Sequence, residues 1–365
     1  MKNKIKTALI AGGGTGGHLF PALSIGEELE KNKIKVEYIG SYYGIEKEFL
    51  INTNCKFHLL NITGIQRSLS IKAIYMNLVF PLRFLISYLK SIFIIKKIKP
   101  SIIIGTGGYV SGLPLIAGIQ CKIPTVIQDQ NSVPGLITKK LHNKVNKIFL
   151  AYSIANKKLN KDKCSNTGNP TRSELIKINK KEALKKLNLE SNKNTILILG
   201  GSQGSSPINN YIKKNIDYFN QNGFQLIWQC GNYDYKKLTT FNNKNILIKP
   251  FFENMSVIYS ACDLVISRAG ALTISELTNM SKAMILIPYP QAAENHQQIN
   301  AEYILNNNAC KVIEQTDLDS YSLIDSINEL FKDDKKIQKL EENAKNISKP
   351  KATENIVKNI MDIIK

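Results

Sequence analysis

Residues 7–18 read TALIAGGGTGGH. A short apolar run, Thr7–Ala11, ends in Gly12-Gly13-Gly14-Thr15-Gly16-Gly17-His18, and a segment of helical period follows. A strand that turns through glycines into a helix is the opening unit of a parallel α/β sheet. The same order recurs at Leu199-Gly200-Gly201-Ser202-Gln203-Gly204-Ser205, and a third turn, Gly105-Thr106-Gly107-Gly108-Tyr109, follows an apolar run from Ser101. Outward from these loops, apolar runs and helical-period segments alternate along the whole chain. Strands are expected at Thr7–Ala11, Lys35–Gly40, Phe57–Asn61, Ser101–Thr106, Thr125–Gln128 and Lys147–Ala151, then at Thr195–Gly200, Gln225–Gln229, Asn245–Lys249, Leu264–Ser267 and Ala283–Pro288. The expected class is α/β: two doubly wound, Rossmann-like domains facing each other across a cleft lined by the glycine loops.

At 365 residues the chain exceeds one typical core. The polar, turn-rich segment Lys157 to Arg172, ending Gly168-Asn169-Pro170, reads as the linker. The expected domains are residues 1–168 and 169–340, with a C-terminal helix at about 340–365, broken at Pro350, that can pack back on the first. Six scattered cysteines without a C-x-x-C pair read as reduced residues, not as a disulfide framework or zinc site. The N-terminus lacks the long apolar core and small-residue cleavage site of a signal peptide, which predicts a cytoplasmic protein. The net charge is +20. Residues 1–170 hold 24 Lys+Arg against 8 Asp+Glu, whereas the remainder holds 25 against 21. So uneven a charge suggests an anionic partner for the first half: nucleic acid, anionic lipid or a phosphorylated substrate.

Glycine turns at strand ends bring backbone N–H groups and a helix N-terminus to an anion. A dinucleotide site would also need a carboxylate at the end of the next strand, and Tyr38-Ile39-Gly40-Ser41-Tyr42 has none. A Walker A loop would need Gly-Lys-Ser/Thr, which no loop has. In the second half, Ser267-Arg268-Ala269-Gly270-Ala271-Leu272-Thr273-Ile274-Ser275-Glu276 should open a helix with Glu276 in its first two turns. A carboxylate there can accept both hydroxyls of a ribose while helix amides hold a diphosphate. On a solvated face it would only complement the helix dipole. An amide-rich loop, Glu294-Asn295-His296-Gln297-Gln298, follows the next strand.

Taken together, GGGTGGH at 12–18, GTGGYVSG at 105–112, DQN at 129–131, GNPTR at 168–172, GGSQG at 200–204, FFENM at 251–255, SRAGALTISE at 267–276 and HQQINA at 296–301 resemble the MurG family of bacterial glycosyltransferases over nearly the whole chain. That resemblance implies a GT-B fold and inverting transfer of N-acetylglucosamine from UDP-GlcNAc to the 4-hydroxyl of undecaprenyl-pyrophosphoryl-MurNAc-pentapeptide. This is the last cytoplasmic step of peptidoglycan precursor synthesis, on which cell wall, shape and division depend. It implies no cofactor and no obligatory metal. By motif, Thr15, Gly16 and Gly17 would lie at the sugar and phosphate end of the donor. Asn131 would contact the N-acetylglucosamine, and Arg172 and Ser202 the diphosphate region. Phe252 would present its backbone to uracil, Ala271, Leu272, Thr273, Ile274 and Ser275 would hold the phosphates, and Glu276 the ribose. Gln297 and Gln298 would line the ribose–diphosphate–sugar stretch. The family usually has His-Glu-Gln-Asn where this chain has Gln128-Asp129-Gln130-Asn131.

Inverting transfer needs a base for the acceptor hydroxyl and a charge sink for the leaving group. His18, at the tip of the first loop, is the first candidate base and Asp129 the second. A helix-start residue orienting the acceptor phosphate is the alternative for His18. Asp317-Leu318-Asp319 precedes a helical segment and reads as a cap, not a metal site. Ile71 to Ile95 is the most apolar stretch, but Lys72, Arg83 and Lys90 interrupt it. It is expected to lie in the membrane interface at the cytoplasmic face, with Ile74, Leu78, Phe80, Leu82 and Phe84 entering anionic lipid beside Lys72, Arg83, Lys139 and Lys140. No helix-turn-helix, zinc or RNP signature supports nucleic acid as the partner. Two rival classes remain: a related glycolipid synthase acting on diacylglycerol, and a basic nucleic-acid-binding module.

Overall fold

A computed structural model of the chain describes residues 6–47, 55–64, 70–172, 174–318 and 322–365. These divide into two compact units, Met1–Arg172 with Pro350–Lys365, and Ser173–Lys349.

In the first unit the described residues form a seven-stranded parallel sheet: β1 (Thr7–Ala11), β2 (Lys35–Ser41), β3 (Phe57–Leu60), β4 (Ile102–Gly105), β5 (Thr125–Asp129), β6 (Lys147–Leu150) and β7 (Cys164–Asn166), in the order β3-β2-β1-β4-β5-β6-β7. The strands read as apolar runs because both faces are covered. Alternate residues serve opposite cores. Leu9, Ile39, Ile103 and Ile127 pack with Ile94, Ile95 and Val110 on one face. Ile10, Tyr38, Ile104 and Phe149 pack with Ile25, Leu29, Ile356, Val357 and Ile360 on the other. The helix Ala352–Ile363 therefore completes the first unit, whereas Asp334–Asn346, before the Pro350 break, belongs to the second. Burying Ile356, Val357 and Ile360 contributes about 1.5–3 kcal/mol each, enough to hold the chain's end there.

The segment expected as a linker carries β7, which pairs with β6 through Ile148↔Cys164. Three residues of an edge strand are too few to show an alternating pattern, so composition alone read them as loop.

In the second unit the described residues form a six-stranded parallel sheet from β8 (Thr195–Leu199), β9 (Gln225–Gln229), β10 (Ile246–Lys249), β11 (Leu264–Ser267), β12 (Ala283–Leu286) and β13 (Lys311–Val312), ordered β10-β9-β8-β11-β12-β13. The two-residue β13 escaped sequence analysis for the same reason as β7. In both sheets the order reverses at one point, between β1 and β4 and between β8 and β11. The crevice at the carboxyl ends of such strands is where doubly wound sheets bind ligands. The loops 12–18 and 105–109 leave the first pair, and 200–205 and 268–276 leave the second.

Candidate functional site

In the first unit the glycines are required by loop-on-loop packing. A Cβ on Gly12 would stand 1.8 Å from Thr106 Oγ1, one on Gly107 2.4 Å from His18 Nδ1, and one on Gly108 2.5 Å from the Gly13 carbonyl oxygen. The simple phosphate-cradle expectation needs a correction at Gly14. Its N–H donates to Glu46 Oε2 at 2.7 Å, and Ser41 N–H donates to Glu46 Oε1 at 2.8 Å. Glu46 is fully buried, so an internal carboxylate already fills the anion position that this turn creates.

His18 lies in the first turn of the helix Gly16–Lys31 and is fastened to the second loop twice. Thr106 Oγ1 donates to its carbonyl at 2.8 Å, and its Nδ1 lies 3.1 Å from Thr106 O and 3.0 Å from Gln130 Oε1. Both partners of Nδ1 are acceptors, so Nδ1 carries the proton and the neutral ring has its lone pair on Nε2. That is the tautomer a base requires. Thr15 is exposed at the helix N-cap, with Gly16 and Gly17 half-buried behind it. Arg172, expected at the donor diphosphate, belongs to this unit, its guanidinium 4.5 Å from the Phe20 ring centroid.

Asp129 is buried and engaged. Its Oδ2 accepts from Thr138 Oγ1 at 2.5 Å and Gly135 N–H at 2.9 Å, and its Oδ1 accepts from Asn131 N–H at 3.4 Å. Burial raises its pKa, and those three donors and nearby His18 offset this only in part. Its oxygens hold the loop that carries half-buried Asn131 to the start of the helix Leu136–Leu141.

In the second unit Gly204 has φ 82 and a Cβ there would meet Cys230 O at 2.0 Å, so the 200–205 loop cannot take this path with another residue. Ser202 is exposed at its tip. The helix Ala271–Asn279 starts after Gly270. Ala271 and Ile274 are buried, Leu272, Thr273 and Ser275 are half-buried, and Ser275 Oγ donates back to Ala271 O at 2.9 Å. Glu276 is buried, not solvated, and its Oε2 accepts from the Tyr259 hydroxyl at 2.8 Å. A buried carboxylate oriented by a phenol differs from the solvated face that the helix-dipole alternative supposes.

Several of these residues had no role assigned from sequence. Arg268 is buried, with its guanidinium bonded to Ser205 Oγ, the Ile287 and Pro288 carbonyls and Gln315 Oε1, and burial lowers its pKa to about 10. It ties the loops after β8, β11 and β12 together. Gln229 accepts from Phe252 N–H at 2.9 Å and donates to Gly201 O at 3.1 Å. The Phe252 amide expected for uracil is thus held by a side chain of the same unit. Gln297 Oε1 accepts from Tyr289 N–H at 3.0 Å, and Gln298 Nε2 donates to Glu302 at 3.2 Å. Before them Glu294 and Asn295 both have φ 52, a left-handed pair of the kind stored at functional loops. Only Arg268 sat inside a recognisable motif. Tyr259, Gln229 and Glu46 carried no sequence signal. Asp317 ends a short 3₁₀ turn, and Asp319 lies outside the described residues.

The apolar stretch forms one helix, Ile71–Ile98, and by length and composition Ile74–Ile98 alone among the described residues could cross a bilayer. One face is committed inward: Ser87, Ser91, Ile94 and Ile95 are buried. The opposite stripe is open, with Ile74, Leu78, Leu82, Leu85, Leu89 and Phe93 exposed, Leu78 to 79%, whereas Phe84, also exposed, lies on the side of Phe80, the two ring centroids 5.9 Å apart. Two expected patch residues turn inward instead. Phe80 is half-buried against the core, and Arg83 is half-buried with its guanidinium 5.7 Å from the Tyr43 ring centroid. A period of 3.6 puts positions 80 and 83 on the flank of the helix facing the body of the unit. Lys140 is exposed and Lys139 half-buried, while the Lys72 side chain lies outside the described residues.

Residues 8–150 match the glycosyltransferase family 28 N-terminal domain, and residues 195–360 its C-terminal domain. The chain is 38% identical over 362 residues to the UDP-N-acetylglucosamine--N-acetylmuramyl-(pentapeptide) pyrophosphoryl-undecaprenol N-acetylglucosamine transferase of Flavobacterium psychrophilum, covering 98% of this chain and 97% of that one. It is 36% identical over 363 residues to the Listeria welshimeri enzyme of the same name, covering 98% and 99%. Among solved structures it is similar to MurG of Acinetobacter baumannii, with 25% identity, a TM-score of 0.73 and coverage of 98% and 99%. A calicheamicin glycosyltransferase shares the fold at 10% identity, with a TM-score of 0.70 and coverage of 99% and 98%.

Proposed function

The chain belongs to glycosyltransferase family 28, and from that membership we propose that it transfers N-acetylglucosamine from UDP-GlcNAc to the undecaprenyl-pyrophosphoryl-linked muramyl-pentapeptide, with inversion at the anomeric carbon. The observation that carries the proposal is full-length similarity to enzymes bearing that name. The second unit binds the donor. Glu276, held by Tyr259, accepts the ribose hydroxyls. Amides at the start of the helix Ala271–Asn279, with Ser202, stabilise the diphosphate as it leaves, so the scheme requires no metal. The first unit brings the acceptor. His18 Nε2 takes the proton from the muramyl 4-hydroxyl as its oxygen attacks the anomeric carbon and the bond to UDP breaks. Asn131, Thr15, Gly16, Gly17 and Arg172 are the first unit's candidates for contact with the transferred sugar and its phosphates. Gln297 and Gln298 bind along the donor.

UDP release from UDP-GlcNAc with a short-chain lipid-linked muramyl-peptide analogue tests this directly. Turnover with the muramyl acceptor and none with diacylglycerol supports it. Turnover with diacylglycerol and UDP-glucose or UDP-galactose instead would establish the glycolipid synthase.

The acceptor's lipid places the protein peripherally at the cytoplasmic face of the membrane, its apolar stripe in the interface and its basic first unit on anionic lipid. Changing Leu78, Leu82 and Leu89 to Ser and Lys140 to Glu should weaken binding to anionic vesicles more than tenfold. Each buried methylene contributes about 0.8 kcal/mol and each basic residue about 1 kcal/mol. All four residues are exposed, so circular dichroism should be unchanged, and a water-soluble acceptor should still turn over. A folded variant that binds vesicles as tightly as the parent removes this stripe from the interface.

A further inference from the structure

We propose that Gln130 is a positioning residue that fixes the tautomer of His18 through a directional chain of side-chain amides ending at Asn169. The inference rests on His18 being the base of the transfer. Four bonds define the chain. Asn169 Nδ2 donates to the Gln130 backbone carbonyl at 3.2 Å, Gln128 Nε2 donates to Asn169 Oδ1 at 2.9 Å, Gln130 Nε2 donates to Gln128 Oε1 at 2.8 Å, and Gln130 Oε1 faces His18 Nδ1 at 3.0 Å.

The direction of every link follows from the first. A backbone carbonyl can only accept, so Asn169 presents its nitrogen to Gln130 O and its oxygen to Gln128. Gln128 must then donate to Asn169 and accept from Gln130. That leaves Gln130 with its oxygen toward the imidazole, and its Nε2 also donates to Thr106 O. His18 Nδ1 therefore meets two acceptors, and the proton is held there. Gln128 is 0%, Gln130 3%, Asn169 2% and Thr106 0% exposed, so water does not compete for these links. Position 128 needs one donor and one acceptor at once. Glutamine supplies both without titrating, whereas an imidazole there would do so only while neutral.

The carboxylates around the histidine are Asp129, whose own ionisation feels the His18 charge, and Glu46, beyond Gly13 and Gly14. Tyr109 packs beside Gly14 with its phenol pushed up by burial. Neither carboxylate is hydrogen-bonded to the ring through Nδ1, whose partners are the neutral Thr106 and Gln130 oxygens. At Nδ1 the ring is oriented by two neutral oxygens.

The test combines nitrogen-resolved NMR of the His18 ring with pH–rate profiles of the full-length enzyme. In the parent, the neutral ring should be the Nδ1–H tautomer. In Gln130→Met one acceptor is lost, the Nε2–H form should become populated, and kcat should fall roughly tenfold to a hundredfold with KM for UDP-GlcNAc unchanged. Gln130→Glu places a carboxylate against Nδ1–H and should move the acid limb of kcat/KM up by about one to two pH units. A parent ring in the Nε2–H form, or a Gln130→Met ring unchanged in tautomer, overturns the proposal. So does a folded Gln130→Glu enzyme whose acid limb stays where it was while the NMR titration of His18 is also unmoved. If the tautomer and titration change as stated but the rate does not follow, Gln130 orients the ring and the assignment of His18 as base is what fails.

Discussion

His18→Ala should lower kcat by about two to four decades with near-normal affinity for UDP-GlcNAc, the contribution expected of a positioned general base. Three facts make the effect specific. The helix start is held by Thr106 through the His18 backbone, which alanine retains. The side chain is half-buried and its Nδ1 faces Thr106 O and Gln130 Oε1, so the neutral ring carries its basic lone pair on Nε2. The second candidate, Asp129, has its oxygens bonded to Thr138, Gly135 and Asn131, so it cannot take over without releasing the 130–138 loop. Single-turnover rates with a saturating acceptor analogue measure the loss, and donor titration gives the affinity. A fall of only severalfold returns proton removal to Asp129 or to water and leaves His18 as a residue that orients the acceptor.

Glu276→Ala should raise KM for UDP-GlcNAc about tenfold to a hundredfold with a much smaller change in kcat. Removing a buried carboxylate that accepts hydroxyls costs roughly 1.5–3 kcal/mol, and ribose is bound equally in the ground and transition states. Tyr259→Phe should move KM the same way by less, about two- to tenfold, because it loses the donor that aims Glu276 and keeps the carboxylate. Thermal unfolding of both variants separates donor affinity from stability. An unchanged donor KM in a folded Glu276→Ala enzyme refutes the ribose assignment.

The candidate site of the second unit was more legible in sequence than that of the first. Glu276 could be placed from SRAGALTISE because a turn, a helix start and a carboxylate two turns in are all local. The first loop could be found but not interpreted in full. Its glycines answer to Thr106, His18 and Gly13 packing, and one of its amides answers to Glu46, 32 residues away. On the apolar helix, period and composition located the stripe but put Phe80 and Arg83 on it. Which flank turns inward depends on what the helix packs against.

The sequence by itself determined the class and the order of elements. Strands buried on both faces must be continuous apolar runs, and tight turns between strand and helix must be glycine, so both leave marks within a few residues. Tertiary structure alone decided the rest. It assigned Ala352–Ile363 to the first unit, added β7 to its sheet, and turned Arg268 into the tie between three loops. It also set the proton on His18, through Thr106 and Gln130, which lie 88 and 112 residues away. Hydropathy records how deeply a residue is buried, whereas a hydrogen bond depends on direction and on a partner brought near only by the folded chain. The polar chemistry of this site is made of such bonds, and no local pattern encodes them.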